Sequence, residues 1–342
     1  MAMVRRGRLV GILAALAVVL VALWLGYWYA AHAMAEKALA RLTGTDRNGQ
    51  HITCADPVLS GFPLRLDLNC SRGGYSATAE SVTAALGGVR ATAPLYVPGT
   101  VEADIDGPLT VNDPGRNVAL TASWSAATAK ASAWISGLTG IGTTFTSLKA
   151  ANAGTAAGLP ISAVSADMAG GGIEPAGGGS YTLVGNAKNM KLTRSDGSEL
   201  PALDADARIT ALNVGAGLGT DPAHTLVAWL RRGGSFKVDN VRLAASGAVL
   251  SANGTLAVSK NGTLSGALVL RFTNLDAFVN LAEQIKPGSR DKAMTAVQAI
   301  TALSVPVDTP DGPARQTTLS IINGVPIVGV VPVPIQLPRV KL

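Results

Sequence analysis

The sequence is poor in the residues that usually build catalytic and metal centres. Its 342 residues include two cysteines and three histidines, and only 4% of them are aromatic. This shortage excludes zinc clusters, haem ligation and scaffolds held by many disulfides. Charged residues make up 15% of the chain, well below the roughly 25% of an ordinary soluble domain. The net charge of +6 is small and dispersed, so we predict no nucleic-acid partner, which would require a concentrated basic face.

No local signature of catalysis or cofactor binding is present. The chain contains neither a phosphate-binding loop of the form G-x-x-x-x-G-K-[ST] nor the nucleophile motif G-x-S-x-G. Its histidines, His32, His51 and His224, are far apart in sequence, and nothing local supports a Ser-His-Asp set built on His224. We therefore predict a protein that is not an enzyme, with no catalytic residues, no cofactor and no metal.

Two pairs of aspartates are the candidates for a cation site. Asp104 and Asp106, and likewise Asp204 and Asp206, are two positions apart. On a β-strand, both carboxylates of such a pair point to one face, where they can bind a hard cation. The alternative, which we favour, is that each pair lies on the solvated side of a half-buried strand.

A long apolar run near the N-terminus predicts a membrane anchor. Residues 9–31 carry no charge, and a helix of that length spans roughly 35 Å, enough for a hydrocarbon core of about 30 Å. Three arginines, Arg5, Arg6 and Arg8, precede the run. Four aromatic residues lie at its far end: Trp24, Tyr27, Trp28 and Tyr29. By the positive-inside rule, the basic tip lies in the cytoplasm.

This topology divides the chain into three parts. Residues 1–8 form a cytoplasmic tip, residues 9–31 form a single transmembrane helix, and residues 32–342 form an exported domain. The alternative is a cleavable signal peptide ending at Ala31-His32-Ala33, which would export the same domain. An exported chain favours a disulfide between Cys54 and Cys70 over two buried thiols.

The exported part has the sequence pattern of a β protein. Alternation of apolar and polar residues recurs in many short stretches, most clearly between Ser235 and Phe272. Asn253-Gly254, Asn261-Gly262 and Asn323-Gly324 predict hairpin turns, because both residues accept a positive φ. We predict short helices at 147–157, 276–285 and 291–303, and a loose connection around the glycine triplets at 170–172 and 177–179. Long, thin sheets suit the many small side chains better than a compact sandwich.

Three features together resemble a known family. They are the anchor with its aromatic end, the segment Cys54…Gly61-Phe62-Pro63-Leu64-Arg65…Cys70, and the final strand pair from Leu319 through Asn323-Gly324 to Gly329. The chain resembles the DUF2125 family of alphaproteobacterial envelope proteins, and its strand texture is similar to AsmA-type proteins. The first resemblance implies an inner-membrane-anchored periplasmic protein. The second implies an elongated, curved antiparallel sheet and a role in envelope lipid homeostasis.

We expect the function to depend on an apolar sheet face. Six residues of the Ser235–Phe272 meander should share it and line a groove for phospholipid or another acyl-chain ligand: Leu256, Val258, Leu264, Leu268, Leu270 and Phe272. A second sheet covering this face would make these residues ordinary core. The alternative functions are an assembly factor that recruits another envelope protein through a β-edge, or a hydrolase assembled from distant loops. Phe62 is expected to be a buried plug inside the disulfide loop.

Overall fold

The computed structural model describes residues 2–44, 49–77, 81–116, 118–134, 137–152, 161–215, 222–285, 287–309, 312–329, 331–332, 337 and 339. These residues form a long N-terminal helix, a 21-stranded sheet and three shorter α-helices. Every strand pairing is antiparallel. The predicted fold class, a mainly β chain with few helices behind an apolar N-terminal helix, is confirmed.

Helix α1 covers Ala2–Leu42 without a break, so the run at 9–31 and the pattern after it form one element. The stretch Leu16–Arg41 is long and apolar enough to cross a membrane, with a mean hydropathy of 1.6. From Trp24 onward, one stripe of the helix is half-buried, at Trp24, Trp28, Ala35 and Leu39. This spacing places the four residues on one helical face, the face turned towards the sheet.

The first part of the sheet consists of five long strands, each interrupted near its middle. The two halves of the successive strands are β1 (Gln50–Ala55) with β2 (Val58–Ser60), β3 (Arg65–Cys70) with β4 (Arg72–Ala77), β5 (Val82–Leu86) with β6 (Val89–Pro94), β7 (Thr100–Ile105) with β8 (Leu109–Asp113), and β9 (Val118–Ser123) with β10 (Ala126–Trp134). A 3₁₀ turn, Pro114–Arg116, precedes β9. Gln50 lies opposite Ala77 and Val58 lies opposite Asn69, so one register continues through the interruption.

The second part of the sheet is a meander of continuous strands. It comprises β11 (Gly137–Asn152), β12 (Ile161–Gly177), β13 (Ser180–Arg194), β14 (Leu203–Leu212), β15 (Ser235–Ala245), β16 (Ala248–Val258) and β17 (Leu264–Thr273). Strand β11 pairs with β10 along its first half and with β9 along its second half. It therefore joins the interrupted strands to the continuous ones in a single sheet.

The C-terminal strands complete this edge of the sheet. They are β18 (Val305–Thr309), β19 (Gly312–Ile322), β20 (Val325–Val328) and β21 (Val331–Pro332). Strand β19 pairs with β17 on one side and with β18 and β20 on the other. The predicted final hairpin at Asn323-Gly324 is confirmed, and Asn323 has a left-handed backbone with φ of 50°.

Three helices pack against the end of the sheet nearest the C-terminus. Helix α2 (Pro222–Arg231) contributes Trp229 to a core with Tyr181 and Ala211. Helices α3 (Asp276–Ile285) and α4 (Arg290–Ala302) form a hairpin, and α3 contacts β16. The guanidinium of Arg315 on β19 donates hydrogen bonds to the carbonyls of Thr301 and Ser304 at 3.1 and 2.8 Å, which satisfies the end of α4.

Three local predictions are wrong. Described residues of the segment predicted as a helix at 147–157 belong to strand β11, and the glycine triplet at 170–172 lies inside β12. Asn253-Gly254 is not a turn but the middle of β16, where Gly254 has φ of 153° and packs closely on the backbone of β17. The turn after β15 is Ser246-Gly247 instead, and both of its residues have a positive φ.

Candidate functional site

A line of bends, here called the crease, crosses the sheet from β1 to β13. It passes through residues that lie opposite one another in the continuous register: Asp56, Ser71, Gly88, Asp106, Ser125, Ser147, Asp167 and Asn189. In the first five long strands the crease is the interruption itself. In β11 and β13 it is a single left-handed residue, with φ of 53° at Ser147 and 49° at Asn189.

The Cys54–Cys70 disulfide is formed and spans the crease. Cys54 lies opposite Gly73, and Cys70 is three positions further along that neighbouring strand. In a flat sheet this offset would separate the two Cα atoms by about 11 Å. They are 5.2 Å apart. The two halves of the sheet therefore bend towards each other on the face that carries both sulfur atoms.

Polar side chains hold the crease in its middle and at its β13 end. The guanidinium of Arg90 donates hydrogen bonds of 2.7 and 2.9 Å to Asp106, and these bonds hold the pKa of Asp106 below its ordinary value. The side-chain amide of Asn189 donates to Asp167 at 2.9 Å, and its backbone N–H donates to Asp204 at 2.8 Å. The latter bond lowers the pKa of Asp204.

The inner side of the crease is filled by an aromatic pair. The indole N–H of Trp124 donates to the carbonyl of Ile105 at 2.8 Å, and its ring meets Phe145 edge-to-face at 5.2 Å between centroids. On the neighbouring strand, a Cβ at Gly87 would lie 2.5 Å from the carbonyl oxygen of Asp106. The bend thus requires glycine at this position.

The face on the inner side of the crease, the apolar face, carries two rows of residues that run across the strands. The Leu183 row consists of Val101, Ala131, Ile141, Ile173, Leu183, Ile209, Val238, Gly254, Leu268, Leu319 and Val328. The Gly185 row consists of Ala91, Ala103, Ala129, Thr143, Gly171, Gly185, Ala207, Val241, Ala252 and Leu270. Each residue lies directly opposite its neighbour in the row.

The apolar face is open in its middle and covered near its C-terminal end. Val101, Ile141 and Leu183 are 41%, 43% and 37% exposed. The six predicted groove residues do share this face, because Val258 pairs with Leu264 and every second residue of β16 and β17 continues the pattern. However, Val258 and Phe272 are only 2% and 4% exposed, and the helices described above lie at this end. The open section is therefore displaced from the predicted meander to Val101 and Ile141 on β7 and β11 and Leu183 on β13, while Ile173 on β12 packs against the core around Trp229.

The opposite, polar face contains a concavity of about 1050 Å³, but the cations that line it are paired. Arg65 bonds to Asp67 and Lys130 bonds to Glu102, each at 2.7 Å. Because these cations already have partners within the sheet, the concavity offers little unbalanced charge to a ligand. The concavity is lined mainly by polar side chains, whereas the sequence predicted an apolar groove.

The Gly-Phe-Pro motif contacts helix α1 rather than the interior of the disulfide loop. The carbonyl of Pro63 accepts a 3.0 Å hydrogen bond from the indole of Trp24, and the Phe62 ring meets Trp28 edge-to-face at 5.1 Å. Gly61 has φ of 103°, a conformation that favours glycine. Phe62 is 58% exposed, so the prediction of a buried plug is wrong. The prediction did not take account of helix α1, whose aromatic residues Trp24 and Trp28 contact Pro63 and Phe62.

The described residues contain no group of three or more His, Cys, Asp or Glu side chains that could hold a metal ion. Asp106 is paired with Arg90, and Asp204 and Asp206 each lie 3.5 Å from Lys188. His32 lies 3.6 Å from Glu36 on α1, and the structure brings the other two histidines into no cluster with it.

The crease and the rows of the apolar face were not predicted, because both depend on pairing between distant strands.

Comparison with known proteins gives one match. Residues 27–336 match the family described as "Uncharacterized protein conserved in bacteria (DUF2125)". No curated protein matches the chain. No solved structure matches it either.

Proposed function

The chain belongs to the DUF2125 family of uncharacterised bacterial proteins, and we propose that it is a membrane-anchored envelope protein that binds acyl chains on its apolar face. The observation that carries this proposal is the Leu183 row. Its side chains are apolar across consecutive strands, and those on β7, β11 and β13 are uncovered. Contiguous exposed apolar surface of this kind marks binding sites.

The dimensions and chemistry of the open section suit an extended hydrocarbon. From Val101 to Leu183 the Leu183 row crosses five strands, a distance of about 19 Å at the usual strand spacing, and Ile173 within this stretch also packs against the core around Trp229. The parallel Gly185 row provides a floor of small side chains. Covering such a strip contributes roughly 25 cal/mol per Å² of apolar surface removed from water. Binding would need no polar recognition and no reacting group.

The remaining features support an envelope location. We propose an inner-membrane protein with its N-terminus in the cytoplasm and its sheet in the periplasm, acting in lipid homeostasis as AsmA-type proteins do. Helix α1 is long and apolar enough to be the anchor. The Cys54–Cys70 disulfide fits an oxidising compartment.

Photo-crosslinking in living cells tests the proposal. A benzophenone amino acid replaces Leu183 in one variant and Val184 in another, since these neighbours lie on opposite faces of β13. We expect mass spectrometry to find lipid adducts at position 183 and none at position 184. Equal adducts at both positions, or none at either 183 or Ile141, would overturn lipid binding by this face.

A second candidate function is assembly with another envelope protein. Within the described residues, strands β1 and β2 pair on one side only, and Ile52 and Val58 on them are exposed. An extended segment of a partner could add to such an edge. The same crosslinker at Val58 would then give a protein adduct, while position 183 would give no lipid.

A further inference from the structure

We infer that two turns of the sheet enter the headgroup region of the membrane beside helix α1 and seat the sheet on the bilayer. The turns are residues 61–64, between β2 and β3, and residues 95–99, between β6 and β7. This inference rests on the membrane anchoring proposed above, but it holds whatever the apolar face binds.

The turns present large apolar side chains to solvent. Phe62 and Leu64 in the first turn are 58% and 57% exposed, and Tyr96 and Val97 in the second are 70% and 46% exposed. Single exposed apolar residues are common on protein surfaces. Four of them on two turns that contact the same helix form a patch, and such a patch marks an interaction site.

The contacts with α1 fix the depth of both turns. The Trp24 indole donates to the carbonyl of Pro63 at 3.0 Å, and the Tyr27 hydroxyl donates to the carbonyl of Leu95 at 3.2 Å. These aromatic residues end the apolar run, where Trp and Tyr settle at the level of the headgroups. The two turns are therefore held at that level by hydrogen bonds.

The bare part of the helix identifies the bilayer as the occupant. From Leu16 to Leu23 the large apolar side chains of α1 are more than half exposed. Lipid must cover them up to Leu23. The next residue, Trp24, donates its hydrogen bond to Pro63 in the first turn. The exposed apolar residues of the two turns therefore lie at the level where the exposed section of α1 ends. The first charged residues beyond the turn, Arg65 and Asp67, pair with each other.

The arrangement also places the apolar face next to the membrane. Val101, the first member of the Leu183 row, is four positions after Val97 on the same hairpin. An acyl chain leaving the bilayer at the second turn would meet the apolar face directly.

Depth-dependent fluorescence quenching tests the inference with the full chain. The two native cysteines are bonded to each other, so a cysteine introduced by Tyr96→Cys is the single reactive thiol for a nitrobenzoxadiazole label. The protein is reconstituted in phosphatidylcholine vesicles that contain phospholipid spin-labelled near the headgroup, and only protein resistant to a carbonate wash is measured. Ser195→Cys, in an exposed turn at the other end of the strands, is the matched control.

We expect the label at position 96 to emit at shorter wavelength and to lose most of its emission to the spin label, while the label at position 195 keeps its emission. Leu64→Cys reports the first turn independently and guards against a local effect of the Tyr96 substitution. If the labels at both 96 and 64 behave like the label at 195, the turns lie in water and the inference is wrong. The readout does not involve a ligand, so its failure would leave the proposed function standing.

Discussion

Arg90 and Asp106 form a two-bond ion pair that ties strand β6 to the crease, with N–O distances of 2.7 and 2.9 Å. An arginine that meets a carboxylate in this bidentate way fixes orientation as well as distance. Both side chains are about half exposed, so the pair is screened by solvent and contributes mainly to the geometry of the bend.

The pair predicts a specific loss of stability in acid. The pKa of Asp106 is lowered in the folded state by its hydrogen bonds to Arg90, so the unfolded state binds more protons. The stabilisation is therefore complete above the ordinary aspartate pKa of about 4 and is lost as the pH falls through the folded value. Urea unfolding of the full chain between about pH 3 and 6 should show a steeper loss for the native protein than for Asp106→Asn. Arg90→Gln should flatten the profile in the same way, and parallel profiles for all three proteins would contradict this account.

The Cys54–Cys70 disulfide holds the bend at the crease, so we predict that its removal destabilises the folded protein. The bridge joins cysteines with a sequence separation of 16, and closing a loop of this length contributes on the order of 3 kcal/mol, less in a domain this large than in a small one. We expect Cys54→Ser combined with Cys70→Ser to lower the free energy of unfolding by up to about 3 kcal/mol. Alkylation of the unreduced, denatured native protein should find no free thiol. Two labelled thiols per chain would show that the bond does not form.

Gly87 provides a test of the crease that leaves its polar groups intact. A Cβ at Gly87 would lie 2.5 Å from the carbonyl oxygen of Asp106, so Gly87→Ala forces the two strands apart. We expect a loss of about 1–3 kcal/mol in unfolding free energy. Gly142→Ala is the control, since its nearest neighbour would be 3.9 Å away. Equal stability of the two variants would show that the close approach at the crease is unimportant.

The fold class and the shared face of β16 and β17 could be predicted from the sequence, because alternation with a period of two is a local property. The six residues from Leu256 to Phe272 lie on one face as expected, since each strand there is long and regular. Helix α3 was predicted near its observed bounds, because a helical pattern is likewise a local property of the sequence. Whether that face is covered depends on α2 and the α3–α4 hairpin, whose positions are not encoded locally.

The failures share a physical cause, which is tertiary context overriding a local preference. Asn253-Gly254 has the chemistry of a hairpin turn, yet Asn253 accepts a 3.0 Å hydrogen bond from Arg271 on the next strand, and Gly254 permits close packing there. Phe62 lies inside the disulfide loop in sequence but meets Trp28 of a distant helix. The crease aligns residues that are 15 to 22 positions apart, such as Asp167 and Asn189, so no short window of the sequence reveals it.

The apolar face predicts opposite outcomes for a charge placed at its covered end and a charge placed in its open middle. Val258 is 2% exposed and Ile141 is 43% exposed, although both lie on this face. Val258→Asp would bury an unpaired carboxylate, which costs several kcal/mol, whereas the carboxylate of Ile141→Asp can remain in water. We expect the first variant to be lost to proteolysis or aggregation and the second to accumulate in membranes with a cooperative unfolding transition, measured by circular dichroism. Thr144→Asp, on the polar face of the same strand as Ile141, controls for added charge alone and should match Ile141→Asp in stability. If Ile141→Asp fails to fold while Thr144→Asp folds, the middle of the face is covered and belongs to a closed core.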